Sequence, residues 1–219
     1  MYAKRPGWAR GSVSKDEGDY LHERAAQANS DVVVEVGTAS GVSTAVLAAA
    51  VNGKVFTYDL YERFYDDPAR AVGDAAKEML DPDDLARVIF RNPATALDAA
   101  KEHTDVGFVF IDADHQHPWP CLDLLALLES LVPGAEVVLH DINLPVKWPE
   151  FPEWGAKWLY DELDLPKLAN HRDPVPNIGS VFIPEDKGRV REEIVAIIHS
   201  HEWTRKVPPE VSAVLLGGE

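Results

Sequence analysis

Residues 31–60, DVVVEVGTASGVSTAVLAAAVNGKVFTYDL, constrain the fold of this chain more than any other stretch. Val32, Val33, Val34 and Val36 form an apolar β-branched run, the signature of a parallel strand buried on both faces. Gly37 and Gly41 bracket a short turn where backbone can approach a ligand without Cβ interference. Ser43 to Val51 continues in helix-forming residues, and Lys54 to Tyr58 is a second short strand that ends at Asp59. The acid follows the first glycine by about 20 residues, the distance at which a βαβ unit sets a carboxylate against ribose hydroxyls. The segment therefore predicts a nucleotide-binding half-fold.

The glycine pattern narrows the nucleotide. A dinucleotide fingerprint, G-x-G-x-x-G, rests a pyrophosphate on the helix N-terminus. Ala39 and Val42 occupy its second and third glycine positions here, which speaks against a Rossmann oxidoreductase using NAD(P). Glu35, two residues before Gly37, repels a pyrophosphate and suits a cationic ligand. E-V-G-T-A-S-G resembles motif I of class I S-adenosylmethionine (SAM) methyltransferases, whose ligand carries a sulfonium, an ammonium and no phosphate.

Bulk properties exclude several classes. At 219 residues the chain is long enough for one α/β core, and with 46% hydrophobic and 26% charged residues its composition is globular. No apolar run reaches the roughly 20 residues of a membrane span, and MYAKRPGWARGSV has no apolar core after its basic residues, so it does not read as a signal peptide. A single cysteine, Cys121, fits a reducing cytoplasm. A net charge of −16 and the lack of any basic run argue against nucleic acid as substrate.

The rest of the chain alternates helix and strand without an internal repeat. Helices are expected over 16–29 with Ser14 as N-cap, then over 68–80, 94–103, 118–131 and 189–200. Strands are expected over 87–90, 106–111 and 137–139, the last after a Pro133-Gly134 turn. Residues 167–172 and 178–183 read as an antiparallel hairpin, and 211–216 as a last strand. The fold class is thus α/β, a Rossmann-like, doubly wound, mostly parallel sheet with one antiparallel strand.

In an open α/β sheet the working residues lie at the carboxyl ends of strands. The fourth strand ends in Ile111-Asp112-Ala113-Asp114-His115-Gln116-His117, and the fifth in His140-Asp141-Ile142-Asn143. Two readings are open. In one, Asp112 and Asp141 hold a divalent cation, Mg²⁺ or Mn²⁺, that lowers the pKa of an acceptor hydroxyl, with His115 as general base. In the other there is no metal, the acids bind ligand or cap helices, and His115 and His117 are loop histidines.

S-V-S-K-D-E-G-D-Y-L, E-V-G-T-A-S-G-V-S-T, F-I-D-A-D-H and P-G-A-E-V-V-L-H-D together resemble the catechol and caffeoyl-coenzyme A type O-methyltransferases. The likeness is stronger to their bacterial small-molecule relatives, which carry D-x-D-H and H-D at these strand ends. It runs from about Gly11 to Pro145. The resemblance implies a seven-stranded sheet and SAM as cofactor. It sets Ser12 to Ser14 near the methionine carboxylate, Glu35, Gly37 and Ser43 against the methionine part, and Asp59 on the ribose. It implies Asp112 as first metal ligand, Asp141 as second, and His115 where metal-dependent relatives have a catalytic lysine. Those relatives follow the second acid with an asparagine ligand, where this chain has Ile142. His140 and Asn143 are the neighbouring substitutes, although adjacent strand residues point to opposite faces.

The chain is read as one domain over 1–219, with an N-terminal helical segment (1–30), a SAM-binding core (31–145), an acceptor lid (146–165) and a C-terminal hairpin, helix and tail (166–219). Trp148, Phe151, Trp154 and Trp158 either line a flap over a planar acceptor or pack the next helix onto the sheet. The expected function is methylation of a small-molecule hydroxyl by a cytoplasmic enzyme without nucleic-acid or membrane partners. A SAM-binding paralogue that has lost catalysis is the alternative. The oligomeric state stays open, a homo-oligomer through the flap or the N-terminal helix being one outcome.

Overall fold

The computed structural model describes residues 4–10 and 12–217. Gly11, where the family resemblance starts, and Gly218 and Glu219 of the tail lie outside them. Seven strands form one sheet: β1 (Val32–Val36), β2 (Lys54–Tyr58), β3 (Val88–Arg91), β4 (Val106–Ile111), β5 (Leu131–His140), β6 (Lys167–Ala169) and β7 (Ile178–Phe182). Their order is β3-β2-β1-β4-β5-β7-β6. The pairs from β3 to β5 are parallel, whereas β7 runs antiparallel to both β5 and β6. The expected mostly parallel sheet with one reversed strand is what forms.

Strand alternation sorts the core into two layers. Val34, Val36, Val109, Ile111, Val137 and Leu139 face α5 (Ala96–Glu102), α6 (Trp119–Leu127) and α9 (Lys187–Ser200). Val33, Phe108, Phe110 and Val138 face the other way, into a layer with residues of α1 (Lys15–Ala28) and α2 (Val42–Ala50). Continuing each alternation by two residues puts Glu35, Asp112 and His140 on the α1–α2 side. Ser14 caps α1 as expected: its hydroxyl accepts from the Glu17 amide, and Glu17 Oε2 accepts from Ser14 N at 2.6 Å, a closed capping box.

Three local expectations give way. The helix predicted over 68–80 shrinks to α3 (Asp74–Met79). Ala71 instead bridges to Arg63, and Gly73 turns at φ +81°, where an added Cβ would sit 2.2 Å from the Phe90 ring. That left-handed turn can start a helix but cannot lie inside one. Strand β5 begins at Leu131 rather than Val137, because Val106 pairs with Leu131 across a register shift and Gly134 N donates to the Ile183 carbonyl. The tail is helical instead of extended: Pro208 and Pro209 start α10 (Pro209–Ser212), and a π-turn continues over Ala213–Gly217. Val207, Val211 and Leu215, four apart, seat it on the core. The helices predicted over 94–103, 118–131 and 189–200 hold as α5, α6 and α9, the short α4 (Pro82–Leu85) precedes β3, and 3₁₀ residues Leu128–Ser130 close the end of α6.

Helix α1 is tied to the sheet by charge as well as packing. Arg24 makes two parallel bonds to the buried Glu136 of β5, Nε to Oε1 at 2.6 Å and Nη2 to Oε2 at 2.7 Å, and Ser180 Oγ also donates to Glu136. Removing one side of such a pair strands a buried charge. Arg24→Ala is therefore expected to cost about 3 kcal/mol of stability. Urea denaturation measures this, and a change within about 0.5 kcal/mol, the range of an ordinary surface site, would refute it.

Candidate active site

The glycine turn is shaped by close backbone approach. Gly37 has φ +98°, and a Cβ there would lie 2.1 Å from the Asp112 carbonyl oxygen. Gly41 has φ +93° and backs onto Gly73. No side chain fits at either, so the ends of β1 and β4 meet as bare backbone. Ala39 between them also adopts a left-handed conformation, φ +46°.

Asp59, at the end of β2, holds this turn. Its Oδ2 accepts from the amides of Thr38 (3.2 Å) and Ala39 (2.9 Å), and Oδ1 from that of Tyr61 (2.9 Å). A carboxylate offers about four lone-pair positions, so roughly one is left for a ligand hydroxyl. Asp59 is thus both scaffold and candidate contact.

Glu35 lies beneath the turn and is fully buried. Its Oε2 accepts from Thr44 Oγ1 (2.5 Å) and Thr57 Oγ1 (2.6 Å), while Oε1 has no protein partner. Ser43, in the first turn of α2, also faces it. Burial pushes the Glu35 carboxyl up to about 7, against the pull of the Ser43, Thr44 and Thr57 hydroxyls. The threonine cage was not anticipated from sequence, since a threonine on a strand or helix reads as filler.

Asp112, His115 and Asp141 converge as the strand-end argument expects. One ligand atom from each lies within 4.8 Å of the others. His115 Nδ1 stands 3.1 Å from Asp141 Oδ2. Asp141 is buried and leaves β5 with φ +58°, a left-handed conformation. Its carboxylate thereby turns back toward His140, so that two neighbours expected on opposite faces share one crevice. Asn177, at the start of β7, donates from Nδ2 to Asp141 Oδ1 at 2.6 Å. Ile142, where the relatives carry a third ligand, is buried in the core.

His140 sits among acids. Its Nδ1 is 3.0 Å from Asp112 Oδ1 and 3.4 Å from Asp141 Oδ2. Its Nε2 is 3.5 Å from Glu17 Oε2, longer than a hydrogen bond, so that pair is held by charge. Burial disfavours the imidazolium, but Asp112 and Asp141 outweigh it and raise the pKa well above the ordinary histidine value. In return, although burial opposes it, His140 holds Glu17 down to about 2 and Asp141 below the usual carboxylate range.

The aromatic segment is part exposed and part packed. Trp148 and Phe151 remain 40% and 51% exposed, after the short helix α7 (Leu144–Lys147). Trp154 and Trp158 pack: Trp154 stacks on Trp158, and Trp158 on His201 with ring centroids 3.9 Å apart. Helix α8 (Gly155–Glu162) starts against the histidine loop, Gly155 N donating to the His115 carbonyl at 3.0 Å. Trp119 opens α6 and packs on the core, and His117 is wholly buried against Trp158. Tyr61 and Tyr65 are exposed beside Asp59, whereas Phe64 is buried against Trp8.

Residues 34–142, from mid-β1 to just past Asp141, match the family described as Methyltransferase domain. This segment is a methyltransferase domain. Among solved structures, the methyltransferase fold recurs in the Bacillus cereus O-methyltransferase in complex with SAH (TM-score 0.59, 21% identity, 83% of this chain and 86% of that one). It recurs in the O-methyltransferase TomG from Streptomyces achromogenes in complex with SAM (0.55, 22%, 79% and 82%). It is found too in the SAH-bound Podospora anserina methyltransferase PaMTH1 (0.61, 14%, 84% of each). No curated protein sequence matches the chain.

Glu35 gives the methyltransferase domain a testable pH signature. Its folded value, about 7, exceeds the ordinary 4.5 of an exposed glutamate. The stability it contributes is therefore complete below the unfolded value and lost as pH rises through the folded one. Glu35→Gln, which keeps the neutral shape, should gain on the ligand-free wild type by on the order of 3 kcal/mol between about pH 5 and about pH 8. Urea midpoints across that range test this. Parallel curves for the two proteins would contradict the assignment.

Proposed function

We propose that the protein is a SAM-dependent methyltransferase that methylates a hydroxyl oxygen of a small molecule, with His115 as general base. The observation that carries the reading is the contact of His115 Nδ1 with Asp141 Oδ2 at 3.1 Å, at the carboxyl ends of adjacent parallel strands. An imidazole whose Nδ1–H is held by a carboxylate presents Nε2 as the free base. Methyl transfer is an in-line displacement: the acceptor oxygen attacks the methyl carbon, sulfur leaves with its bonding pair, and the hydroxyl proton goes to His115 Nε2. The charge on sulfur is lost in this step, and the acids of the crevice hold the cationic cofactor until then.

Around the cofactor, Glu35, Gly37 and Ser43 would border the methionine part, Asp59 would use its remaining lone pair on the ribose, and Asp112 would close the site. This is supported by the bare backbone at Gly37, the orphaned Glu35 Oε1 and the bound SAH or SAM named for two of the O-methyltransferases of like fold. Trp148 and Phe151, exposed after β5, serve as the acceptor lid in this reading. A single domain, a cytoplasmic location and the absence of nucleic-acid or membrane partners belong to the same proposal. They rest on the net charge of −16, on the one cysteine, and on the fact that no described helix is long and apolar enough to cross a membrane.

A second reading has its own observation. The converging donors of Asp112, Asp141 and His115 fit a divalent cation, with His115 filling the third position that Ile142 cannot. Such an ion would supply Lewis acidity toward the acceptor oxygen, and a mixed carboxylate and imidazole set suits Mn²⁺ better than Mg²⁺.

Calorimetric titration of metal-stripped protein with SAM and SAH tests the cofactor. Micromolar binding, weakened in Asp59→Asn, is the expected outcome, and no heat with either nucleoside would sink the proposal. In an acceptor panel of phenols, catechols and sugars, His115→Ala should lower kcat by about 10²–10⁴ while leaving SAH affinity within about threefold. A separate Mn²⁺ heat that His115→Ala abolishes would instead favour the metal reading.

A further inference from the structure

One buried chain of contacts links the N-terminal helix to the strand-end acids. Glu17, at the third position of α1, uses Oε2 twice: it accepts from Ser14 N at 2.6 Å to close the capping box, and it lies 3.5 Å from His140 Nε2. The opposite edge of the same imidazole reaches Asp112 Oδ1 at 3.0 Å and Asp141 Oδ2 at 3.4 Å. Asp141 Oδ2 is in turn the partner of His115 Nδ1 at 3.1 Å. Glu17 and His140 are each 8% exposed, so solvent does not screen these contacts. A glutamate is almost never buried unless it is paired, and the cap alone supplies no charged partner. The burial of Glu17 beside a histidine therefore calls for a second role.

We infer that Glu17 and His140 are positioning residues which tie the N-terminus of α1 to Asp112 and Asp141 and so fix the orientation of His115. Glu17 anchors one edge of the His140 ring, and the other edge holds both strand-end carboxylates at one spacing. Asn177 fixes the second oxygen of Asp141, leaving the oxygen toward His115 with a single orientation. The inference rests on the reading of His115 as the base, and its test needs neither cofactor nor acceptor.

Glu17→Gln separates the two roles of the residue. Glutamine at this position still accepts from Ser14 N and keeps the capping box, but it carries no charge for His140. In the full chain the variant should keep α1, so its far-ultraviolet circular dichroism should match that of wild type, while loss of the buried charge beside His140 lowers the melting temperature. The imidazole nitrogen-15 spectrum should nonetheless show the His115 Nδ1 signal displaced, although Glu17 does not touch His115. Amide hydrogen exchange over 112–117 and 141–144 should quicken about tenfold, a coupling of ordinary size. His140→Gln should reproduce both changes and also quicken exchange over 12–17.

An unchanged His115 signal in both variants, or exchange that rises only over 12–20, would overturn the inference and leave Glu17 as a cap. Because Glu17→Ala loses the cap as well, the amount by which it melts below Glu17→Gln calibrates the cap's own contribution. Loss of SAM and SAH binding in wild type, with the His115 signal responding as described, would refute the methyl-transfer proposal and keep this one. Binding with an unresponsive His115 signal would do the reverse.

Discussion

Five carboxylates, those of Glu17, Glu35, Asp59, Asp112 and Asp141, crowd one end of the sheet, and the structure depends on how each charge is answered. Asp59 is met by three backbone amides of the turn it supports. Glu35 is answered by burial, which raises its carboxyl to about 7, and by the hydroxyls of its threonine cage. Glu17, Asp112 and Asp141 share one imidazolium, that of His140. Each solution uses a different physical device, hydrogen bonding, desolvation or ion pairing, and together they leave a crevice that remains net negative. Such a field suits a cationic ligand and opposes a pyrophosphate.

Most of the fold could be read along the chain because its central strands are unambiguous. The limits of β2 and β4 coincide with the expected runs, and β1 and the hairpin of β6 and β7 fall where predicted, since β-branched runs between turn residues admit few alternatives. The failures occur where tertiary contact overrides local pattern. Gly73 has to turn against Phe90, which no window of helix-forming residues reveals. The tail alternates well enough to pass for a strand, yet the Pro208-Pro209 start and apolar residues four apart make it helical against the core.

The candidate site was legible for a different reason. Position at the carboxyl end of a parallel strand is a topological property, so Asp59, Asp112, His115 and Asp141 could be singled out before any distance was known. What stayed hidden came from outside the strand ends. Asn177 precedes the reversed strand β7, and Glu17 belongs to a helix whose sequence advertises a cap and nothing else. The left-handed backbone of Asp141 was equally invisible, and it is what lets His140 and its neighbour act on the same side.

The reversal of β7 has a consequence for how this scaffold can diversify. In a wholly parallel sheet, only segments leaving the strands open onto the ligand side, and segments entering them lie at the opposite edge. Because β7 enters where β5 leaves, pairing Ile178 with His140, the connection over 170–177 arrives at the same rim as the histidine loop and the aromatic segment. It brings Asn170 and Asn177, both buried, together with the exposed Val175. The mouth therefore gains a third wall drawn from a hairpin, whose exposed part around Val175 can vary while Asn177 keeps its hold on Asp141.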